Sequence, residues 1–253
     1  MSGSGPDEGN AIVDPPLTLL AVTHGEPSAD NRSAIIGLVD AVAAEVPTVQ
    51  IGISFVDAQN SDVAAALAQH AGTPAVIVPL VLSAGFHVRT GLSQGINQLP
   101  PGGPGLAEPL GPDPRIVEVL AERLEAVGIG PSDAIVLAAA GSNDPRAVRE
   151  CFETGRLLGA RLGRPVTVGF IAAAIPRLPD AIEMIREVHP GSRVIVATYL
   201  LAPGAFNDAA NSVGADAVSE PLMLPGRPAP GPIVELVVDR YLAAAERLGR
   251  HVS

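Results

Sequence analysis

Two of the chain's five histidines stand where an apolar run ends. His24-Gly25 follows LTLLAVT directly, and His87 follows AVIVPLVL by the short turn SAGF. Imidazole is a borderline-soft ligand suited to Fe2+, Co2+, Ni2+ and Zn2+, and near neutral pH it also takes up or gives up a proton. Asp57 closes a third run, VQIGISFV, and offers a carboxylate as ligand or base. Together the three residues read as a candidate metal or acid–base site. A histidine after a strand is also the ordinary place for a hydrogen-bonded loop residue, so the residues alone leave both readings open.

The remaining chemistry-bearing residues are plainer. His70 and His189 close helical stretches before Gly-Thr-Pro and Pro-Gly, positions that favour the helix dipole, and His251 lies in the tail. Cys151 is the single cysteine, so an intramolecular disulfide and any cysteine-based zinc site are excluded. Placed in mid-helix beside Phe152, it reads as core packing. The run GSNDP at 141–145 reads as a turn into a helix capped by Ser142, Asn143 or Asp144.

What must position these groups is an alternation of apolar runs and amphipathic stretches, the pattern of a parallel sheet covered on both faces. Strands are predicted over 17–23, 49–56, 75–82, 134–139, 166–172 and 193–200. Helices are predicted over 32–45, 62–70, 116–127, 144–162 and 180–189, and PGGPG at 101–105 and PGRPAPGP at 225–232 read as loops. In open parallel sheets ligands sit beyond the carboxyl ends of the strands, which is where His24, Asp57 and His87 would emerge. In a doubly wound order the first and third strands are neighbours or near-neighbours at the switch point, which would bring the two imidazoles together.

The chain also repeats itself. LLAVTHGEPSADNR matches VLAAAGSNDPR, setting Gly25 against Gly141 at an offset of 116. VQIGISF against VTVGF gives 117, AVIVPLVLSAG against RVIVATYLLAPG gives 118, and the two Glu-Pro-Leu segments give 112. Matches in the same order at nearly constant offset imply a duplicated α/β unit. The division expected is a disordered tail over 1–16, a first half over 17–128 and a second over 129–253. The tail is Gly/Ser/Pro/acid-rich, with neither the charged start nor the apolar stretch of a signal peptide.

Composition narrows the partners. A net charge of −11 gives no basic footprint for nucleic acid, and no apolar run reaches membrane-spanning length. A cytoplasmic location is expected. Tryptophan is absent and aromatic residues make up 3%, which argues against an aromatic stacking platform. An anionic ligand would have to be met by local cations against the overall field.

Taken together, these segments resemble the sirohydrochlorin chelatase family. The opening LLAVTHGEPSADNR resembles its strand-His-Gly start, and VPLVLSAGFHVRTGL its second signature, an apolar strand with a Gly-x-His-Val turn. GISFVDAQNSDVAAAL resembles the stretch between them, while GSNDPRA and YLLAPGAFNDAA resemble the second half of the longer, duplicated members. The resemblance covers nearly all of residues 17–245. It implies an α/β fold of two flavodoxin-like parallel-sheet halves with a cleft between them. It further implies ATP-independent insertion of a divalent metal, Fe2+ or else Co2+ or Ni2+, into sirohydrochlorin on the way to sirohaem or cobalamin. The metal is then a substrate, and no organic cofactor is expected.

By the same resemblance His24 and His87 hold the metal, and Asp57 stands for the family's acidic helper as proton acceptor. Arg89, with Gly25 and Gly85, meets the tetrapyrrole, with Arg146 a second candidate for its carboxylates. The chain would work as a monomer or homodimer, without nucleic acid or membrane. It departs from the pattern in carrying Asp57 for the usual Glu, Gly91 where an acid often stands, and Ala140 and Phe206 where the second half would repeat the histidines. A degenerate second half follows, and a homologue that binds metal or tetrapyrrole without inserting it is the alternative.

Overall fold

The computed structural model describes residues 17–24, 28–56, 74–83 and 104–249. The first parallel sheet contains β1 (Thr18–His24), β2 (Ile51–Val56), β3 (Ala75–Pro79) and β4 (Gly105–Leu106) in the order β2-β1-β3-β4. The second contains β5 (Ala134–Ala139), β6 (Val166–Phe170), β7 (Val194–Tyr199) and β8 (Ala217–Val218) in the order β6-β5-β7-β8. Both sheets thus have the flavodoxin-like order 2-1-3-4, separately in each half, as the repeat requires. Residues of β3 and β7 are buried throughout, which is why these inner strands read as unbroken Val/Ile/Ala runs.

The register tests the duplication residue by residue. Thr18 faces Ala75 in the first sheet, and Ala134 faces Val194 in the second. With the first strands offset by 116, as the sequence repeat has it, these pairings set the third strands at 119 rather than 118. Val76 corresponds to Ile195, a one-residue shift that repeated Val and Ile conceal. Leu20 faces Gly52 while Val136 faces Thr167, so Gly52 and Gly169 are not equivalent after all. At these offsets His24 still matches Ala140, and position 87 matches Phe206.

Local chemistry starts the helices. Ser28 caps α1 (Ala29–Glu45) by accepting from the Asn31 amide at 3.2 Å. Asp113 and Asp144 cap α2 (Pro114–Ala126) and α3 (Pro145–Leu162), each accepting the amide two residues on, with Pro in the first turn, where its missing N–H costs nothing. Of the three caps offered for α3, Asp144 takes the role. The other helices are α4 (Leu178–Val188), α5 (Ala205–Asn211) and α6 (Gly231–Gly249). The reading of 225–232 as loop missed that Gly231-Pro232 opens α6, Pro again occupying a first-turn position.

The two halves exchange their last helices. α2 packs on α3 and β7 of the second half, whereas α6 packs on α1, β3 and β4 of the first. A single core therefore runs from Leu19, Leu38 and Val76 through Leu120 and Leu236 to Leu137 and Ile195. The opposite face of the second sheet closes on α4 and α5 through Val136, Leu178, Ile182 and Ala210. Among the described residues no helix is long and apolar enough to cross a membrane.

Candidate functional site

His24 is the last residue of β1, a strand hydrogen-bonded on both sides, and its backbone pairs with Val56 at the end of β2. Asp57 is the next residue along the chain from Val56 and lies outside the described residues, as do Gly25, Gly85, His87 and Arg89. So do the helix expected over 62–70, His70, the 1–16 tail and His251. β1 and β3 are neighbours, as expected, and the ladder continues past β3, where the Leu80 amide donates to the Val22 carbonyl at 2.7 Å. The exit of β3 toward position 87 thus starts beside the strand that ends in His24.

The second half meets this edge. Tyr199, the last residue of β7, donates its hydroxyl to the Leu82 carbonyl at 3.2 Å. The Gly111 amide donates to the same carbonyl at 3.0 Å. Glycine is required at 111, because a Cβ there would lie 2.2 Å from the Tyr199 hydroxyl oxygen. Asn31, in the first turn of α1, donates through Nδ2 to the Pro203 carbonyl just past β7 at 2.9 Å. Cys151 on α3 lies with Sγ 4.0 Å from the Ser83 hydroxyl. Through these contacts the carboxyl edges of the two sheets adjoin at the exits of β3 and β7.

Electrostatics at this junction favour neutral groups. Burial pushes the Cys151 thiol up to about 11, against the Ser83 hydrogen bond and with a further push from Glu150. The Tyr199 phenol is raised by complete desolvation well above the ordinary tyrosine value. At the end of β2 the Arg32 guanidinium stacks 4.3 Å above the ring of Phe55, one residue before Val56.

In the second half the matching edge holds no imidazole at these positions. Ala140 follows β5 and its carbonyl accepts from the Ala172 amide at 2.9 Å, extending the β5–β6 ladder by one rung. Gly141 sits at φ 92° with the Ala172 carbonyl so close that a Cβ would fall 1.8 Å from its oxygen. Phe206 lies in the first turn of α5, 47% exposed, and Ile175 precedes α4, 79% exposed. Arg146 is 61% exposed while pairing with Glu150 at 3.4 Å. His189 is the C-terminal cap of α4, the structural role expected of it. Among the described residues no three His, Cys, Asp or Glu side chains converge as a metal site. A separate cavity of about 580 Å³ runs along α3 and the outer edge of β6, lined by Phe152, Arg156, Arg164 and Met184.

Sequence reasoning missed Asn31 and Tyr199 as parts of the junction. The signal for Tyr199 was its rarity: the chain has two tyrosines, Tyr199 and Tyr241, both in the second half. Each donates to a carbonyl of the first, Tyr199 to Leu82 and Tyr241 to Leu17.

Comparison with known proteins fits this architecture. The chain is 29% identical over 143 residues to the sirohydrochlorin ferrochelatase of Priestia megaterium, an alignment covering 54% of this chain and 53% of the relative. The chain thus matches about half the length of that relative. It is 28% identical over 110 residues to the sirohydrochlorin cobaltochelatase of Sulfurisphaera tokodaii, covering 43% of this chain and 92% of the relative. In fold it is similar to SirB from Bacillus subtilis with Fe3+, at a TM-score of 0.69 and 19% identity over 92% of this chain and 98% of that one. It is likewise similar to CbiX, described as the terminal enzyme for biosynthesis of siroheme in denitrifying bacteria, at a TM-score of 0.62 and 21% identity over 90% and 99% of the two chains. The CbiX family profile matches residues 18–127 and 134–218. With both halves matched, the chain belongs to the CbiX family, the sirohydrochlorin chelatase family that its histidine motifs resemble.

Proposed function

We propose that this protein is an ATP-independent metal chelatase that inserts Fe2+ or Co2+ into sirohydrochlorin, with His24 and His87 as metal ligands and Asp57 as proton acceptor. The supporting observation is the asymmetry of the two carboxyl edges. His24 ends β1 of the first sheet, while the repeat sets Ala140, the residue after β5, at the same place in the second. We accordingly assign the active half to 17–128 and the degenerate half to 129–253. Insertion exchanges two pyrrole N–H protons for one divalent cation, so the site must hold the cation and accept protons together. Two neutral imidazoles and a carboxylate meet that demand, and Gly25, Gly85 and Arg89 are assigned to the macrocycle. The metal and the tetrapyrrole are both substrates, and a monomer or homodimer in the cytoplasm, free of disulfides, is the working form.

The test is anaerobic insertion into sirohydrochlorin with Fe2+, Co2+ and Ni2+ in turn, followed by its absorption change. Wild type should insert at least one metal, and His24→Ala or His87→Ala should each lower the rate at least a hundredfold while melting as wild type does. His189→Ala should be silent. Full activity in both site variants would refute the mechanism. Metal binding by wild type without insertion would establish a binding homologue instead.

A further inference from the structure

The carboxyl edge of the second sheet presents apolar and cationic side chains where a working half would present imidazoles. Phe206 is 47% exposed in the first turn of α5, although Phe170 of the same half is fully buried. It lies three residues past Pro203, whose carbonyl is held by Asn31 of α1 at 2.9 Å. That bond ties the Phe206 turn to the first turn of the helix that follows His24. Arg146 and Arg177 stand at the starts of α3 and α4, behind strands of the same sheet and at the same edge. Both are exposed, and Arg177 has no carboxylate partner among the described residues.

A half-exposed aromatic ring at the same sheet edge as two exposed guanidiniums suits a flat conjugated ligand with anions around its rim. The ring meets the π face, and the guanidiniums pair with carboxylates in fork geometry. The protein's overall charge of −11 makes such local cations necessary for any polyanion. Resting on the chelatase reading above, we propose that Phe206 is a substrate-contacting residue: its ring takes one face of the tetrapyrrole, and Arg146 and Arg177 meet peripheral carboxylates, while the metal arrives from the His24 side. The loss of histidine at this position thereby makes the two sides of the cleft different, one for the metal and one for the macrocycle.

The experiment titrates metal-free sirohydrochlorin, followed by fluorescence, into wild type, Phe206→Ala, Phe206→Leu and Met184→Ala, with anaerobic Co2+ titrations alongside. Phe206→Ala should raise the Kd and KM for sirohydrochlorin about tenfold and leave Co2+ affinity unchanged. Phe206→Leu should recover part of the loss. Met184 is 46% exposed but lines the separate cavity along β6, so Met184→Ala should bind as wild type does. Replacing Arg146 and Arg177 together by Gln should weaken sirohydrochlorin binding and flatten its dependence on salt. A folded Phe206→Ala protein binding sirohydrochlorin at wild-type affinity overturns the proposal, as does one weakened equally toward Co2+, or an equal loss in Met184→Ala. If wild type itself binds no sirohydrochlorin, the chelatase reading falls and this proposal with it. Wild-type binding with an unchanged Phe206→Ala variant defeats this proposal alone.

Discussion

The Tyr199 hydroxyl, from the last position of β7, donates to the Leu82 carbonyl beyond β3, so the second half holds the segment that leads toward position 87. That carbonyl also takes the Gly111 amide, and the two donors use both of its lone pairs. Tyr199→Phe keeps the ring and removes one donor, leaving the carbonyl bonded to Gly111. The expected cost is about 1 kcal/mol, the ordinary net worth of a buried hydrogen bond. If Tyr199 also positions the chain ahead of His87, insertion kcat should fall severalfold with KM for sirohydrochlorin unchanged. Tm by calorimetry and steady-state kinetics check the two parts separately. A variant with the lower Tm but wild-type kcat would leave Tyr199 a purely structural link.

Cys151 is 3% exposed and its thiol is raised to about 11, by burial first and Glu150 second, so it should stay neutral at working pH. Thiolate is the reactive form, and the native protein should therefore resist alkylation at pH 8 and react within minutes once unfolded. The sign for stability follows from the same shift. An unfolded thiol ionises near its ordinary value of about 8.5 while the folded one does not. Its contribution is thus complete below that pH and is lost as pH rises toward 11. Timed alkylation with mass detection measures the first effect, and urea unfolding of wild type against Cys151→Ala from pH 7 to 10 the second. Rapid native labelling at pH 8 would show that the junction opens.

Much of the scaffold was legible in the sequence because burial on both faces writes itself as composition. The strand predicted over 134–139 matches β5 at both ends, and the Asp-Pro pair at 144–145 marks the start of α3, whereas α2 starts at Pro114, two residues ahead of the predicted 116. The strand predicted over 17–23 is β1 shifted by one residue, so that His24 closes the strand instead of following it. α6 was not, because Gly231-Pro232 continues a Pro/Gly loop and only Ile233, Leu236, Val237 and Tyr241 beyond it carry the helical spacing. The exchange of α2 and α6 was hidden for a different reason. Periodicity tells which face of a helix is apolar, but not which sheet that face will cover. The junction of Asn31 with Pro203 and of Tyr199 with Leu82 follows from that exchange and was hidden with it.

The exchange makes the C-terminal helix part of the first half. Ile233, Leu236 and Val237 are buried in the shared core, and Arg240 donates to the carbonyls of Pro109 and Leu110 at 2.8 and 3.1 Å. Ending the chain at 230 should therefore expose the α1, β3 and β4 surface and abolish cooperative unfolding of the whole molecule, not only of the second half. Circular dichroism melts and hydrogen exchange on the β1 and β3 amides read this out. Protected β1 and β3 amides in the truncated chain would show that the first half stands without α6.

Asp113 fastens the exchanged helices to one another, and its ionisation gives an acid limit to the fold. Its carboxylate caps α2, pairs with Arg115 at 3.0 Å and reaches Arg240 of α6 at 3.4 Å. Burial by itself would raise this carboxyl. The side-chain and backbone hydrogen bonds from Arg115, with the charges of Arg115 and Arg240, outweigh it and hold the group below the ordinary aspartate value. A folded value below the unfolded one means that the folded state binds the proton less readily. The contribution is thus fully present above about pH 4 and is lost as pH falls through the folded value. Asp113→Asn keeps the cap acceptor and the size but removes the charge. It should cost about 1–2 kcal/mol at pH 7, the worth of charge-assisted hydrogen bonds reduced for partial exposure. Asp113→Ala loses the helix cap as well, about 1 kcal/mol more. Urea unfolding at pH 7, 5 and 3.5 should show a gap between wild type and Asp113→Asn that is constant over the first two and narrower at the last. A gap that stayed the same down to pH 3.5 would mean that the carboxylate's charge contributes nothing to the contact between α2 and α6.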